Sequence, residues 1–477
     1  MGYVLFPFEF KRKDKENVLL VNECGDYIFI SSTEFNKLTS KTFEELPANV
    51  LHSLESRGFI SEEGHVDTAL MLSANKYRSR REYLLNSTAL HMMVVTLKCN
   101  HHCEYCQVSS EADDAHKFDM KPDVARRIVE LIFQSPSKEI KIEFQGGDAL
   151  LNWPAVMAAV EHAESLNVQA RKDLEFVICT NLYALTDEQL DDIERHKIMI
   201  STSLDGPCWL HDKHRRLRSD GSSYTGFVRN LERVRNRDRG RNVLHVNALM
   251  TATADSLDHI EEIVDEYVKL GFEGIFFRSV NPYGDAASHV ASSLYYSPDR
   301  YVDAFMKGLS YIIELNKKGI KFVEYYTALL LKRILTPYAT GFVDLQSPSG
   351  AGISGAIYDF NGDVYPADEA RMLARMGDSK FKMGNALADD YKTIFLSRPL
   401  KDILVKSCVE TIPGCSTCVY RTYCGVDVFR NYLETGDIAN VRSDSFFCRK
   451  QTLLFDYLFE KISDAEFLRI AGDWIWK

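Results

Sequence analysis

The sequence predicts an α/β protein built around an open, partial barrel of βα units, with a small α+β unit before it and a Cys-rich segment after it. Three observations carry this. From residue 91 to about 315, apolar β-type runs alternate with helical patterns, the signature of parallel βα units. A stretch of different texture precedes them. The 11 Cys are unevenly placed, with Cys99, Cys103 and Cys106 at the start of the repeat and five more between Cys408 and Cys448.

Taken in order, residues 17–30 (NVLLVNECGDYIFI) read as two strands around a Gly-Asp turn. Helical patterns follow at 33–41 and 46–57, then a strand-like run at 58–60, together a winged-helix-like unit. Residues 61–88 are more polar and predict a linker with a short helix. Six candidate strands come next, at 91–97, 139–144, 175–180, 198–204, 244–250 and 274–280. Helices fit between them. Pro122 opens one as a first-turn proline, with Val124, Ile128, Leu131 and Ile132 on one face. Ile260, Ile263, Val264, Tyr267 and Val268 line another, which Gly271 caps. Six units are too few for the eight-stranded closed barrel but suit a partial one, with its chemistry at the C-terminal ends of the strands. After residue 345 come Gly-rich turns, a hairpin-like stretch at 355–367 and Cys-rich loops with little helical periodicity, so ligands more than a large apolar core are expected to hold this part. The expected boundaries are 1–88, 89–320, 321–448 and a helical tail at 449–477.

Composition excludes several function classes. With 57 Lys+Arg against 68 Asp+Glu the net charge is −11, which argues against a polybasic nucleic-acid surface. No apolar run approaches the ~20 residues of a membrane span, and the opening MGYVLFPFEFKRKDKEN lacks a signal pattern, so a cytoplasmic location is expected. In a reducing compartment grouped Cys read as metal sites before disulfides. No Ser-His-Asp, P-loop or nucleotide-binding Gly pattern competes for a catalytic role.

The segment Thr96-Leu-Lys-Cys99-Asn-His-His-Cys103-Glu-Tyr-Cys106 follows the first candidate strand directly. Three thiolates on one short loop can ligate three irons of a 4Fe-4S cluster and leave the fourth iron open to a small molecule. The other reading is zinc held by the three Cys with His101 or His102, although zinc loops typically pair one C-x2-C with a second, distant pair.

Cys99-x3-Cys103-x2-Cys106, with Tyr105 before the last Cys, resembles the signature of the radical S-adenosylmethionine (SAM) superfamily. The resemblance implies that the open iron chelates SAM and that electron transfer cleaves it to a 5′-deoxyadenosyl radical, which takes a hydrogen atom from substrate. Tyr105 would pack near the adenine, or serve as a core aromatic. Gln145-Gly146-Gly147-Asp148, after the second strand, resembles the family's Gly-Gly-Glu motif, which binds the SAM amino group. Asp148 stands for the usual Glu and Ala149 for the usual Pro, which shortens the carboxylate's reach. Thr180-Asn181 after the third strand resembles the ribose-side contacts. Ser201-x-Ser203-x-Asp205-Gly206-Pro207 after the fourth resembles the Ser-x-Asp-Gly-Pro segment, with Ser203 and Asp205 as SAM-side residues. Each piece alone could be a cap or a turn.

Cys415-x2-Cys418-x5-Cys424, then Cys448, resembles the SPASM extension of radical SAM peptide maturases, which normally carries two auxiliary clusters on seven Cys. Here Val428, the stretch near Ser349, and Ala367 stand where further Cys are expected. The missing positions are ligands of the inner auxiliary cluster, so the resemblance implies two clusters in all: Cys99/Cys103/Cys106 with SAM, and Cys415/Cys418/Cys424/Cys448. A zinc ribbon is the other reading of the second set. Cys408 is expected to be a buried thiol or an alternative ligand. Asp368, Glu369 and Arg371 occupy the vacated turn, as substrate contacts or as a solvated turn.

The SPASM resemblance implies a ribosomal precursor peptide as substrate, and the N-terminal unit would bind its leader by strand addition or serve only as a packing module. Cys106-Gln-Val-Ser-Ser, Phe144-Gln-Gly-Gly-Asp, Leu345-Gln-Ser-Pro, Asp363-Val-Tyr-Pro-Ala-Asp-Glu and Tyr423-Cys-Gly-Val-Asp most resemble the maturase of the His-Xaa-Ser peptide systems. That branch implies a His-Xaa-Ser repeat precursor, a second radical SAM maturase and an external electron donor. The first expected reaction is a side-chain crosslink. The alternatives are side-chain oxidation in the sulfatase-maturing manner, and a non-catalytic module stapled by zinc.

Overall fold

The computed structural model describes residues 2–112, 114–239, 244–288, 294–439 and 445–476. Its centre is a sheet in which strands Leu90–Thr96, Glu139–Gly146, Asp173–Cys179, Met199–Ser203, Val246–Ala252 and Phe277–Ser279 lie side by side in sequence order. All their pairings are parallel. The second strand illustrates why: Ile140, Ile142 and Phe144 are buried at every other position beneath the helical layer, while Glu143 and Gln145 alternate onto the lumen face. Each such buried side chain contributes about 2 kcal/mol. The helix Pro122–Ile132 buries Ile128, Val129, Leu131 and Ile132, as its spacing predicts, and Gly271 takes φ 67° after helix Ile260–Lys269.

The expected strand at 274–280 divides. Gly274–Ile275 pairs with Val323–Glu324, whereas Phe277–Ser279 pairs with Met250–Ala252. An apolar run does not reveal that its two halves serve different partners.

The N-terminal unit is a three-stranded antiparallel sheet, Phe8–Arg12, Asn17–Asn22 and Tyr27–Ser31, with helices Ser32–Thr39 and Ala48–Ser56. A two-stranded pair, Tyr3–Leu5 with Ile60–Glu62, closes it. The expected linker instead contains a 15-residue helix, Val66–Arg80. Its pattern is illegible because Leu70, Met71 and Leu72 are exposed. Arg80 at its end is 5% exposed and donates to the carbonyls of Cys24 (2.5 Å), Gly25 (3.4 Å) and Arg333 (2.7 Å).

Past residue 345 the predicted hairpin is present, but its first strand, Gly355–Tyr358, pairs in parallel with Leu90–Met93. Asp363–Tyr365 and Gly384–Asn385 follow antiparallel, completing a nine-stranded sheet. The expectation of little helical periodicity here is corrected by the short helices Asp368–Arg375, Arg398–Lys406 and Val428–Thr435, while Phe446–Lys461 opens the expected helical tail. Most of these make two turns, too few for a sequence period to emerge. Among the described residues, no helix is long and apolar enough to cross a membrane.

Candidate active site

The loop after the first barrel strand is tied down at both ends. Cys99 N–H donates to the Glu111 carbonyl (3.0 Å) and Glu111 N–H to that of Leu97 (2.7 Å). His101–Cys103 pairs antiparallel with Arg215–Leu217, and Arg218 Nε reaches the Cys99 carbonyl at 3.1 Å. This strapping presents Cys99, Cys103 and Cys106 to one cavity of about 240 Å³. Cys99 Sγ accepts from His101 N–H (3.4 Å) and Asn181 Nδ2 (3.8 Å). Burial pushes the Cys99 thiol well up and that of Cys103 to about 12, so both are protonated until a metal displaces the proton.

The two glycines of the Gly-Gly pair have a steric reason. A Cβ at Gly146 would stand 2.2 Å from the Thr96 carbonyl oxygen, and one at Gly147 would stand 2.2 Å from that of Lys98 and 2.5 Å from that of Leu97. The second strand thus presses its bare backbone against the cysteine loop. Gln145, Gly146, Gly147, Thr180, Asn181, Ser203 and Tyr105 all line the cavity.

Asp148 and Asp205, the expected SAM-side carboxylates, stand behind the residues that line it. Asp148 is fully buried and accepts from Thr180 Oγ1 (2.9 and 3.0 Å), Asn181 N–H (3.0 Å) and Leu150 N–H (3.0 Å). Its shorter side chain caps the turn that carries Thr180 and Asn181. Asp205 is 1% exposed and holds Arg215 Nε at 3.1 Å and the Tyr105 hydroxyl. Arg215 in turn lies 5.4 Å from the centre of the Tyr105 ring. Both carboxylates therefore position cavity-lining residues.

The sequence reading missed Cys179, Thr251, Arg215 and Arg278, which also line the cavity, as does Ser201 of the Ser-x-Ser motif. For Arg278 a signal existed: it is a lone cation inside an apolar strand run. Among the described residues, no three His, Cys, Asp or Glu side chains converge to hold a single metal ion. The set fits a larger group, with three thiols at one end and, along the wall, hydroxyls and a backbone freed of Cβ atoms.

Residues 93–267 match the model of the radical SAM superfamily. These residues are a radical SAM domain. The domain implies SAM and a 4Fe-4S cluster, and the three thiols supply the donor set. Among curated relatives, the radical SAM cyclopropyl synthase TigE of Paramaledivibacter caminithermalis is 24% identical over 266 residues, 53% of this chain and 51% of that protein. The chain thus spans about half the length of that relative. The cysteine-type anaerobic sulfatase-maturating enzyme of Clostridium novyi is 20% identical over 80% of this chain and 97% of its own length. Among solved structures, anSMEcpe with bound AdoMet aligns at TM-score 0.67 and 16% identity, over 80% of this chain and 99% of that one. SuiB of Streptococcus suis, bound to its precursor peptide SuiA, aligns at TM-score 0.55 and 14% identity, over 92% and 98%. These likenesses are of fold.

Beyond the domain, Cys415, Cys418, Cys424 and Cys448 line one small cavity of about 50 Å³, walled by Val409, Ile412, Val426, Phe447 and Phe455. Ser445 caps helix Phe446–Lys461 by accepting from Cys448 N–H at 3.2 Å, which fixes the last thiol of the set. Cys408 does not line this cavity; its thiol donates to the Leu404 carbonyl at 3.5 Å.

Proposed function

We propose that this chain is a radical SAM enzyme that modifies a side chain of a ribosomally made precursor peptide, with a crosslink as the product. The observation that carries this is the single cavity in which three thiols meet the Gly146-Gly147 edge, Thr180, Asn181 and Ser203 at the strand ends of the barrel. When bound there, the 4Fe-4S cluster with SAM supplies a 5′-deoxyadenosyl radical that abstracts a hydrogen atom from substrate.

This chain's own residues prepare for that chemistry. Cys99, Cys103 and Cys106 hold the cluster, and the N–H groups on Cys99 Sγ stabilise its thiolate. Gly146 and Gly147 let SAM lie against main chain. Thr180, Asn181 and Ser203 would present polar groups to it, with Asp148 fixing the first two. Tyr105, held by Asp205 and Arg215, would line the SAM side of the cavity.

Four thiols around an apolar pocket support a second, fully ligated 4Fe-4S cluster, which Cys415, Cys418, Cys424 and Cys448 would hold and which would supply electron transfer alongside an external electron donor. The peptide reading is supported by the likeness of fold to SuiB, whose structure holds the precursor SuiA. Within it, a His-Xaa-Ser repeat precursor, a second radical SAM maturase as partner, and a cytoplasmic setting remain the finer proposals. Side-chain oxidation is the second reading, favoured by the alignment with the sulfatase-maturating enzyme over 97% of that relative.

Anaerobic reconstitution tests the reading. About eight irons per chain and reductant-dependent 5′-deoxyadenosine are expected, both reduced in Cys99→Ala. Zinc without iron, or no SAM cleavage under strong reduction, would overturn it.

A further inference from the structure

The N-terminal unit, the helix Tyr325–Leu335 and the Cys-rich segment meet around a separate cavity of about 130 Å³, which shares no lining residue with the cavity of the cysteine loop. Four guanidiniums line it, those of Arg80, Arg81, Arg333 and Arg421, against two carboxylates, Glu23 and Glu410. Arg81 pairs with Glu410, and Arg421 lies 3.2 Å from Glu9 and 3.5 Å from Glu23. Arg80 and Arg333 are left over. They are 5% and 4% exposed, yet among the described residues neither forms an ion pair.

Burying a charge without a counter-charge is among the most costly arrangements in a protein. Main-chain carbonyls meet part of the need. Arg80 donates to those of Cys24, Gly25 and Arg333, and Arg333 to those of Tyr423 (3.3 Å) and Thr422 (2.8 Å). Even the aligned carbonyls at the end of helix Tyr325–Leu335, where Arg333 sits, amount to about half a negative charge. Two full positive charges face them. Burial, and the nearness of Arg80, lowers Arg333 to about 10, so it stays cationic at neutral pH.

Donors on the lining residues also remain unclaimed. Arg333 Nη1 and the hydroxyls of Thr422 and Tyr77 have no acceptor among the described residues. Buried guanidiniums with spare N–H groups beside free hydroxyls are the donor set that recognises an oxyanion.

We propose that this cavity binds an oxyanion, a carboxylate or phosphate group, held by the Arg80 and Arg333 guanidiniums and the Thr422 hydroxyl. Its volume is below the roughly 300–1,000 Å³ of a drug-sized site and suits one such group. Arg80 ends helix Val66–Arg80, and Thr422 lies between Cys418 and Cys424, so an occupant ties the N-terminal unit to the Cys-rich segment. Free phosphate and an acidic side chain of a peptide are the two sources of such a group, and the test separates them.

The test is calorimetric titration of the reconstituted, SAM-loaded full chain, at constant ionic strength in chloride. The probes are sodium phosphate, acetyl-Gly-Glu-Gly-amide, and the same peptide with glutamine in place of glutamate. Phosphate or the glutamate peptide should bind with a Kd of ~1 mM or tighter, and the glutamine peptide at least ~10-fold more weakly than the anion that binds. Tighter binding of phosphate assigns a free anion, and tighter binding of the glutamate peptide assigns a substrate carboxylate. Arg333→Met should weaken the bound anion at least ~10-fold. Because Arg333 also holds main-chain carbonyls, Glu410→Gln gives a reading that does not depend on that variant's folding. It removes a neighbouring negative charge and frees Arg81, and should tighten binding ~3-fold or more. No saturable binding of either anion, an affinity left unchanged by both variants, or weaker binding in Glu410→Gln overturns the inference.

Discussion

Replacing Asp148 by Ala separates the positioning role argued above from direct SAM contact. The carboxylate serves three donors, the N–H groups of Leu150 and Asn181 and the Thr180 hydroxyl. Leaving each without a partner costs about 1–2 kcal/mol, or roughly 3–6 kcal/mol together. An opposing effect exists, since burial pushes the Asp148 carboxyl from 3.8 up to about 6. At about 1.4 kcal/mol per unit, the buried charge costs about 3 kcal/mol above that pH. A raised carboxyl means that the folded state binds the proton more tightly, so wild-type stability is full below about pH 4 and falls as pH rises through about 6. The variant lacks this fall. Asp148→Ala should therefore lose about 0–3 kcal/mol at pH 7.5 and about 2 kcal/mol more at pH 4.5. Urea unfolding of the metal-free chain at the two pH values reads this directly, and Asp148→Asn, which keeps one acceptor, should stand closer to wild type. A loss at pH 7.5 that equals or exceeds the loss at pH 4.5 would refute the burial argument. A stability unchanged at both would refute the capping argument.

Other outcomes follow from neighbouring contacts. Asp205→Ala leaves the buried Arg215 guanidinium without its partner and should cost about 3–5 kcal/mol in unfolding free energy; Tyr105→Phe, which keeps the ion pair, should cost about 1 kcal/mol. Gly147→Ala drives a methyl group into the carbonyls of Lys98 and Leu97 and should destabilise by about 1–3 kcal/mol while weakening SAM binding, measured by equilibrium dialysis. Cys424→Ala should reduce the iron content from about eight to about four per chain and leave the signal of the SAM-bound cluster in electron paramagnetic resonance. Arg80→Met removes the donor shared by the carbonyls of Cys24, Gly25 and Arg333 and should lower stability by about 1–3 kcal/mol, seen as earlier proteolysis of the N-terminal unit.

Much of the fold is local and was therefore readable. Alternation along Ile140, Ile142 and Phe144 is a property of neighbours in sequence, as are the helical face of Ile128 and Ile132 and the spacing of Cys99, Cys103 and Cys106. The Gly146-Gly147 pair was legible as a motif, but its reason, contact with the carbonyls of Thr96 and Lys98, lies across the sheet. The short helices after residue 367 have too few turns to show a period. Helix Val66–Arg80 is held by polar ties, Arg80 to three carbonyls and Lys76 to Asp26, not by an apolar stripe.

Only the tertiary structure decided what each polar group faces. Asp148 and Asp205 stand at the motif positions, yet their carboxylates turn to Thr180, Asn181 and Arg215 instead of the cavity. Asp344, Glu369 and Asp427, far apart in sequence, come to line one space with Arg278 and Lys450. A sequence period reports which face of an element is buried. Which partner a buried charge meets depends on how distant elements pack, and that choice follows from desolvation and geometry in the assembled chain.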